Sequence, residues 1–367
     1  MTNFIKKRTV LIVGSFVYAK SGATGGVAFA SSSLTNSELS QEIDWIKIDS
    51  TGKVPVEHVT KRGFNAFKRI IKFIYYLLFN KQIESVLLFV SDGASFIEKG
   101  AMVFIAKYFS KKVILAPRSG YLPNQLKNRL FKNFVINSIN KSDFIVCQSN
   151  NWKMFFENLC GTTKTKFVVI SNWIDFSEYQ HDSKLIVKDN KVTSLLFLGW
   201  MTREKGIFDL IEAVNLIKSQ APLIKVIFGG DGKDYNLAEL HVKELGINHL
   251  FEFKGWVKEK EKLDLLRTSD IFVLPSHAEG FPNSVLEAMA CQLPIIITNI
   301  KSAMEIVNDN SGIIVESNNP QQLGDAILRL YNDREMRKRM GEDAQNRIRD
   351  NFSIHIAIEK FKKILIK

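Results

Sequence analysis

Apolar residues in this chain come in two rhythms. Short unbroken runs, such as T-V-L-I-V-G at 9–14, F-I-V-C at 144–147, S-L-L-F-L-G-W at 194–200 and D-I-F-V-L at 270–274, are bounded by polar or turn residues. Runs of this length read as strands covered on both faces. Between them lie longer stretches with helical spacing, among them 61–79, V-L-E-A-M-A at 285–290 and 351–365. Alternation of the two kinds through both halves predicts an α/β protein with parallel sheets. At 367 residues and 46% hydrophobic composition the chain is long enough for two domains, each with its own core.

A polar stretch at 182–191 separates the halves. It predicts a first Rossmann-like domain over 1–185, a second over 190–350, and an amphipathic C-terminal helix over 351–367. Lys6, Lys7 and Arg8 ahead of an apolar run imitate a signal peptide, but no cleavage site follows and a first strand is the better reading. No apolar run reaches the 18 or so residues that cross a bilayer, which points to a cytoplasmic protein. Cys147, Cys160 and Cys291 lack metal-ligand spacing and suit a reducing compartment.

Charge changes the picture of the first half. Residues 1–190 hold 26 Lys and Arg against 14 Asp and Glu, while the rest holds 24 of each. Much of the excess lies in K-R-G-F-N-A-F-K-R-I-I-K-F-I-Y-Y-L-L-F at 61–79 and K-N-R-L-F-K-N at 127–133. Basic and aromatic residues interleaved on a helix suit an anionic membrane surface, at the inner face of the cytoplasmic membrane; a core-facing helix with solvated lysines is the alternative. The same field would attract nucleic acid, but no recognition motif accompanies it.

The chemistry concentrates at 275–294, P-S-H-A-E-G-F-P-N-S-V-L-E-A-M-A-C-Q-L-P. A strand runs into a Gly/Pro turn and then a helix, the junction where open α/β sheets bind ligands. Unpaired amides of the first helical turn, around Asn283, Ser284 and Val285, form an anion seat. Glu279 and Glu287 flank it and can accept hydrogen bonds from hydroxyls. An anion between polyols describes a nucleotide-sugar. This segment resembles the donor signature of the retaining GT-B glycosyltransferases of the group 1, or family 4, type, P-S-x-x-E-G-F-P-x-x-x-L-E-A-M-A-x-G-x-P. Gln292 replaces the glycine that ends the helix, at a cost of about 1 kcal/mol or a changed cap.

The resemblance implies two Rossmann-like domains facing each other across a cleft, with the last helix crossing back to the first domain. It implies donor contacts from Gly280, Phe281, Asn283, Ser284, Val285 and Glu287, with Glu287 on the ribose and Glu279 on the sugar. The usual G-R-x-x-x-E-K-G appears here as G-W-M-T-R-E-K-G at 199–206, so Lys205 matches, Trp200 replaces the arginine, and Arg203 is the substitute cation. Facing a diphosphate, Arg203 and Lys205 would stabilise the departing phosphate without a metal ion. Loops after I-F-G-G-D-G at 227–232 and F-E-F-K-G-W-V at 251–257, with Gly230 and Val257, would hold the base. In the first domain Gly25 and Gly26 fit a loop close to donor or acceptor, and Arg118 suits an anionic acceptor or is a surface residue.

The function this implies is metal-independent retaining transfer of a hexosyl group from a UDP- or GDP-sugar to a glycan, lipid-linked in lipopolysaccharide or polysaccharide biosynthesis, with no cofactor. Retention admits either a front-face transfer or a double displacement through Glu279. An epimerase or phosphorylase on the same fold, and a non-catalytic nucleotide-binding module, are the alternatives. A dinucleotide-dependent dehydrogenase lacks its Gly-x-Gly-x-x-Gly after the first strand.

Overall fold

The computed structural model describes residues 7–16, 26–51, 59–91, 93–179 and 192–366. The polar stretch at 182–191 and Gly25 lie outside them. The chain divides into two compact units, Met1–Asn172 with His355–Lys367, and Trp173–Ile354.

The strands of the first unit are β1 (Arg8–Gly14), β2 (Ile43–Asp49), β3 (Ile83–Val90), β4 (Lys112–Pro117), β5 (Phe144–Cys147) and β6 (Lys166–Val169). They form one parallel sheet in the order β2-β1-β3-β4-β5-β6. Its helices are α1 (Gly26–Asn36), α2 (Val59–Phe79), α3 (Ala94–Tyr108), α4 (Leu122–Gln125), α5 (Arg129–Lys141) and α6 (Asn150–Cys160). The apolar runs become strands because a parallel sheet hides both faces: Val10 to Val13 and Val86 to Leu88 have no exposed surface. Leu11, Val13, Leu88 and Leu115 pack with Phe73 of α2, Phe96 and Met102 of α3, and Trp152 of α6.

The second unit repeats the plan with β7 (Thr193–Leu198), β8 (Ile224–Gly229), β9 (Phe251–Phe253), β10 (Ile271–Leu274), β11 (Ile295–Thr298) and β12 (Gly312–Val315), in the order β12-β11-β10-β7-β8-β9. Around them run α7 (Ile207–Ile217), α8 (Tyr235–Glu244), α9 (Glu259–Thr268), α10 (Asn283–Ala290), α11 (Ala303–Ile306), α12 (Pro320–Asn332) and α13 (Arg334–Asn351). The last helix, α14 (Ile354–Leu365), belongs almost wholly to the first unit. It buries Ile358, Phe361 and Ile364, and Lys362 Nζ meets Glu42 Oε1 at 2.7 Å.

The division falls earlier than the expected 185, for a physical reason. Ile174 exchanges backbone hydrogen bonds with Phe352 and Ile354, each 2.9 Å, and Tyr179 joins the second core. The polar stretch marks a connection inside the second unit's sequence rather than the boundary itself.

Helix α10 ends in a Schellman motif: Gln292 N–H donates to Met289 O and Leu293 N–H to Ala288 O, both at 3.1 Å. Gln292 itself is left-handed, at φ 61°. The chain therefore keeps the glycine-type cap with a non-glycine residue, and Gln292 Nε2 donates to Gln345 Oε1 at 2.8 Å. Gln292→Gly is expected to raise unfolding stability by up to about 1 kcal/mol, offset in part by loss of that bond. Chemical denaturation would read it, and a loss of stability would show that the bond to α13 outweighs the strain.

Candidate functional site: the switch point of the second sheet

Strand β7 leads by α7 to one side of the sheet and β10 leads by α10 to the other, yet β7 and β10 pair with each other. This is the topological switch point, where loops diverge above the strand ends and leave a crevice. The two loops are stitched together there. His277 N–H donates to Glu204 O at 2.9 Å, Ser276 Oγ to the same oxygen at 3.2 Å, and His277 Nε2 lies 2.8 Å from Asp209 Oδ2. Gly206 sits at φ +70°, and a Cβ there would stand 2.0 Å from Pro275 O. Only glycine lets the β7 loop turn left-handed this close to the β10 loop.

Across this seam Lys205 Nζ forms an ion pair with Glu279 Oε1. Their side chains are 18% and 15% exposed, so the pair is partly desolvated while its outer edge still meets solvent. An ammonium has three N–H donors and a carboxylate several acceptor positions, so neither group is saturated by the other. Four residues after Glu279, α10 begins at Asn283 with Pro282 at the N-cap, where no side chain caps the helix. Asn283 and Ser284 are half-buried, whereas Val285 is fully buried and can offer a ligand only its backbone. Phe281 is also in the core, with its ring 5.7 Å from that of Phe352. Gly280 is buried beside it.

Glu287, one helical turn further on, is 8% exposed and bonded through Oε1 to Lys262 Nζ of α9 at 3.0 Å. Lys262 also meets Glu259 at 3.3 Å. Burial, helped by the charges of Asp175, Glu259 and Glu287, holds the nearby Glu178 carboxyl above its ordinary range. The end of α10 thus presents more carboxylate than Lys262 can neutralise, an arrangement suited to hydroxyl donors. Glu287→Ala is expected to weaken nucleotide binding by about 1–3 kcal/mol. Calorimetric titration with UDP and GDP measures it, and unchanged affinity would remove Glu287 from the site.

Not every expected residue joins this group. Arg203 is placed on Phe208: its guanidinium lies 4.3 Å from that ring centre, and the residue is exposed. Stacking on an aromatic ring holds a guanidinium well. Gly230 is a structural glycine. A Cβ on it would fall 1.8 Å from Gly199 O, and its N–H donates to Gly255 O at 2.8 Å, so it locks the β7, β8 and β9 loops together. Val257 packs beside Gly229 and is 9% exposed.

The contacts of two residues here had no advance signal. Lys262 is one lysine in E-K-E-K, and only the packing of α9 on α10 singles it out. Trp200, at the position where an arginine was anticipated, is 42% exposed with its ring 5.1 Å from that of Trp256. A flat aromatic surface between the β7 and β9 loops takes the place of a cation.

In the first unit Arg118, at the end of β4, is buried rather than on the surface. Its Nη1 donates to Asn172 Oδ1, Gln148 Nε2 donates to the same oxygen at 2.8 Å, and its guanidinium lies 5.1 Å from the ring centre of Phe89. Burial pulls its pKa down to about 9. Gly26 opens α1, and among the described residues a Cβ there would meet nothing within 4 Å.

Two α/β units, each built on a six-stranded parallel sheet, are the architecture of the GT-B fold. Residues 178–347 match the family model of the glycosyl transferases group 1. Among curated relatives, an uncharacterized glycosyltransferase of Methanocaldococcus jannaschii is 32% identical over 61% of this chain and 59% of its own length. The chain thus spans about three fifths of that relative. The capsular polysaccharide biosynthesis glycosyltransferase CapM of Staphylococcus aureus is 26% identical over 82% of this chain and 81% of its own. Among solved structures, HepE of Anabaena in complex with UDP aligns with TM-score 0.73 at 15% identity, covering 98% of this chain and 99% of that one, a likeness of fold.

Proposed function

We propose that the protein is a hexosyltransferase of bacterial surface-polysaccharide assembly, moving a sugar from a UDP- or GDP-linked donor to a glycan acceptor with retention and without a metal ion. The observation that carries this reading is the Lys205–Glu279 pair at the β7–β10 switch point, in the loop that leads into α10.

Each group has work in such a transfer. The first-turn amides of α10 and the Lys205 ammonium face the diphosphate and stabilise the charge that grows on it as the glycosidic bond breaks. Glu287 takes the ribose hydroxyls. Glu279 keeps one oxygen on Lys205 and offers the other to a sugar hydroxyl. An ion-paired carboxylate is a weakened nucleophile, which favours front-face transfer, the departing phosphate oxygen accepting the proton of the attacking hydroxyl, over a covalent sugar on Glu279. Arg203, stacked on Phe208, is left out of this scheme, and Trp200 and Trp256 offer an aromatic wall to the nucleotide. Buried Arg118 suits an anionic acceptor, because an anion beside it offsets the cost of burying its charge. A lipid-linked acceptor at an anionic membrane surface agrees with the charge of the first half.

The test is thermal stabilisation across a panel of nucleotides and their sugars. A bound ligand at a hundred times its Kd adds about 2.7 kcal/mol to stability. Selective stabilisation by UDP, GDP or their sugars supports the donor site and names its base, and NMR of the transferred sugar's anomeric proton then reads retention. A response to NAD alone, or to no nucleotide, overturns it.

A further inference from the structure

One helix of the first unit carries apolar surface on both sides. On its inner face α2 buries Phe73 and Leu77, and Arg69 clamps it to α3 by donating to both oxygens of Glu98, at 2.6 and 2.9 Å. Glu98 is buried, and Lys99 Nζ, also buried, completes the clamp at 3.0 Å. The helix is therefore fixed, and its outer face is presented rather than loose. That outer face holds Phe64, Phe67, Ile71, Tyr75, Leu78 and Phe79, between 51% and 73% exposed. Their spacing of three and four residues draws one continuous stripe along the helix. Contiguous exposed apolar surface of this kind marks an interaction site.

Charge selects the partner. Exposed Lys61, Arg62, Lys68 and Lys72 border the stripe, and the ammonium groups of Lys68 and Lys72 lie 4.5 Å and 5.7 Å from the ring centres of Phe64 and Tyr76. Stems lying along aromatic rings with charged ends beside them is the posture of lysines at a lipid headgroup layer. The exposed Lys127, Arg129 and Lys132 at the start of α5 add to the positive field. Nucleic acid would meet the lysines but offers nothing to Ile71 and Leu78. No helix among the described residues is long and apolar enough to cross a membrane. We infer that the outer face of α2 is a bilayer-docking surface: the stripe from Phe64 to Phe79 enters the headgroup boundary of an anionic membrane while the bordering lysines hold its phosphates.

This deepens the proposed membrane-side transfer, yet the docking needs no sugar chemistry, so the two fail separately. The full-length chain is sedimented with vesicles of phosphatidylcholine alone, or with about a third phosphatidylglycerol, without nucleotide. Binding is expected to the anionic vesicles, weakening as salt is raised. Phe67→Ser with Ile71→Ser and Tyr75→Ser should lower partitioning by on the order of a hundredfold, and Lys68→Glu with Lys72→Glu by about tenfold or more. All five positions are exposed or on the outer face, and a melting temperature and nucleotide response like those of the parent confirm that the variants are folded. Unchanged vesicle binding by the serine variant overturns the inference. So does a parent chain that ignores anionic vesicles and instead forms a dimer that the serine variant splits, or binds RNA in their place.

Discussion

Lys205→Ala is expected to lower kcat by about 10²- to 10³-fold, the scale on which a single preorganised donor at a charge-developing oxygen acts. The ammonium stands at the seam where the β7 and β10 loops meet, paired with Glu279 and still open on one edge. If its main partner is the departing phosphate, the loss falls on kcat more than on donor affinity. Lys233, also in this neighbourhood but paired with Glu204 at the exposed surface, is the control, and its alanine variant should stay within about twofold. Equal loss in kcat and in binding for Lys205→Ala would make it an anchor for the ground state. No loss in either would remove the pair from catalysis.

Gly206→Ala is expected to cost about 2–5 kcal/mol of stability. Part is the left-handed backbone, about 1–2 kcal/mol for a residue with a Cβ, and part is the steric intrusion on Pro275 O, about 1–3 kcal/mol. For a unit of this size that lowers the melting temperature by roughly 5–20 °C. Pro275 opens the donor loop, so the variant should also lose nucleotide response at temperatures where it remains folded. Stability within about 0.5 kcal/mol of the parent would mean that the two loops do not approach as closely as described.

The architecture was legible because parallel strands leave a strong trace. A strand buried on both faces is apolar along its length, and the runs at 10–13, 144–147, 195–198 and 271–274 are all of that kind. The strand–turn–helix from β10 to α10 was legible for a different reason: a strand, a Gly-Phe-Pro turn and a helix with glutamates eight apart is a local pattern. What stayed hidden depends on neighbours distant in sequence. Nothing in E-K-E-K says that Lys262, 25 residues from Glu287, will be its partner. Arg203 was assigned to the crevice by proximity to Lys205, but on a short 3-10 turn, Arg203–Lys205, side chains two apart diverge, and Phe208 captures the first of them. Gly230 is expected beside the base, and the structure adds a second reason for a glycine there, the Gly199 carbonyl of the β7 loop, since a glycine in sequence does not say what comes close to it.

The return of residues 355–367 to the first unit has a consequence for synthesis. A ribosome finishes residue 172 with that unit still lacking α14, whose Phe361 and Ile364 are part of its buried surface. Everything from Trp173 to Ile354 must be made before the missing helix emerges, roughly 10–35 s at ordinary elongation rates. Throughout that interval the nascent first unit shows two greasy surfaces, the groove that awaits α14 and the outer stripe of α2. The second unit, continuous in sequence, can close as soon as it leaves the tunnel, so the order of birth and the order of completion are reversed.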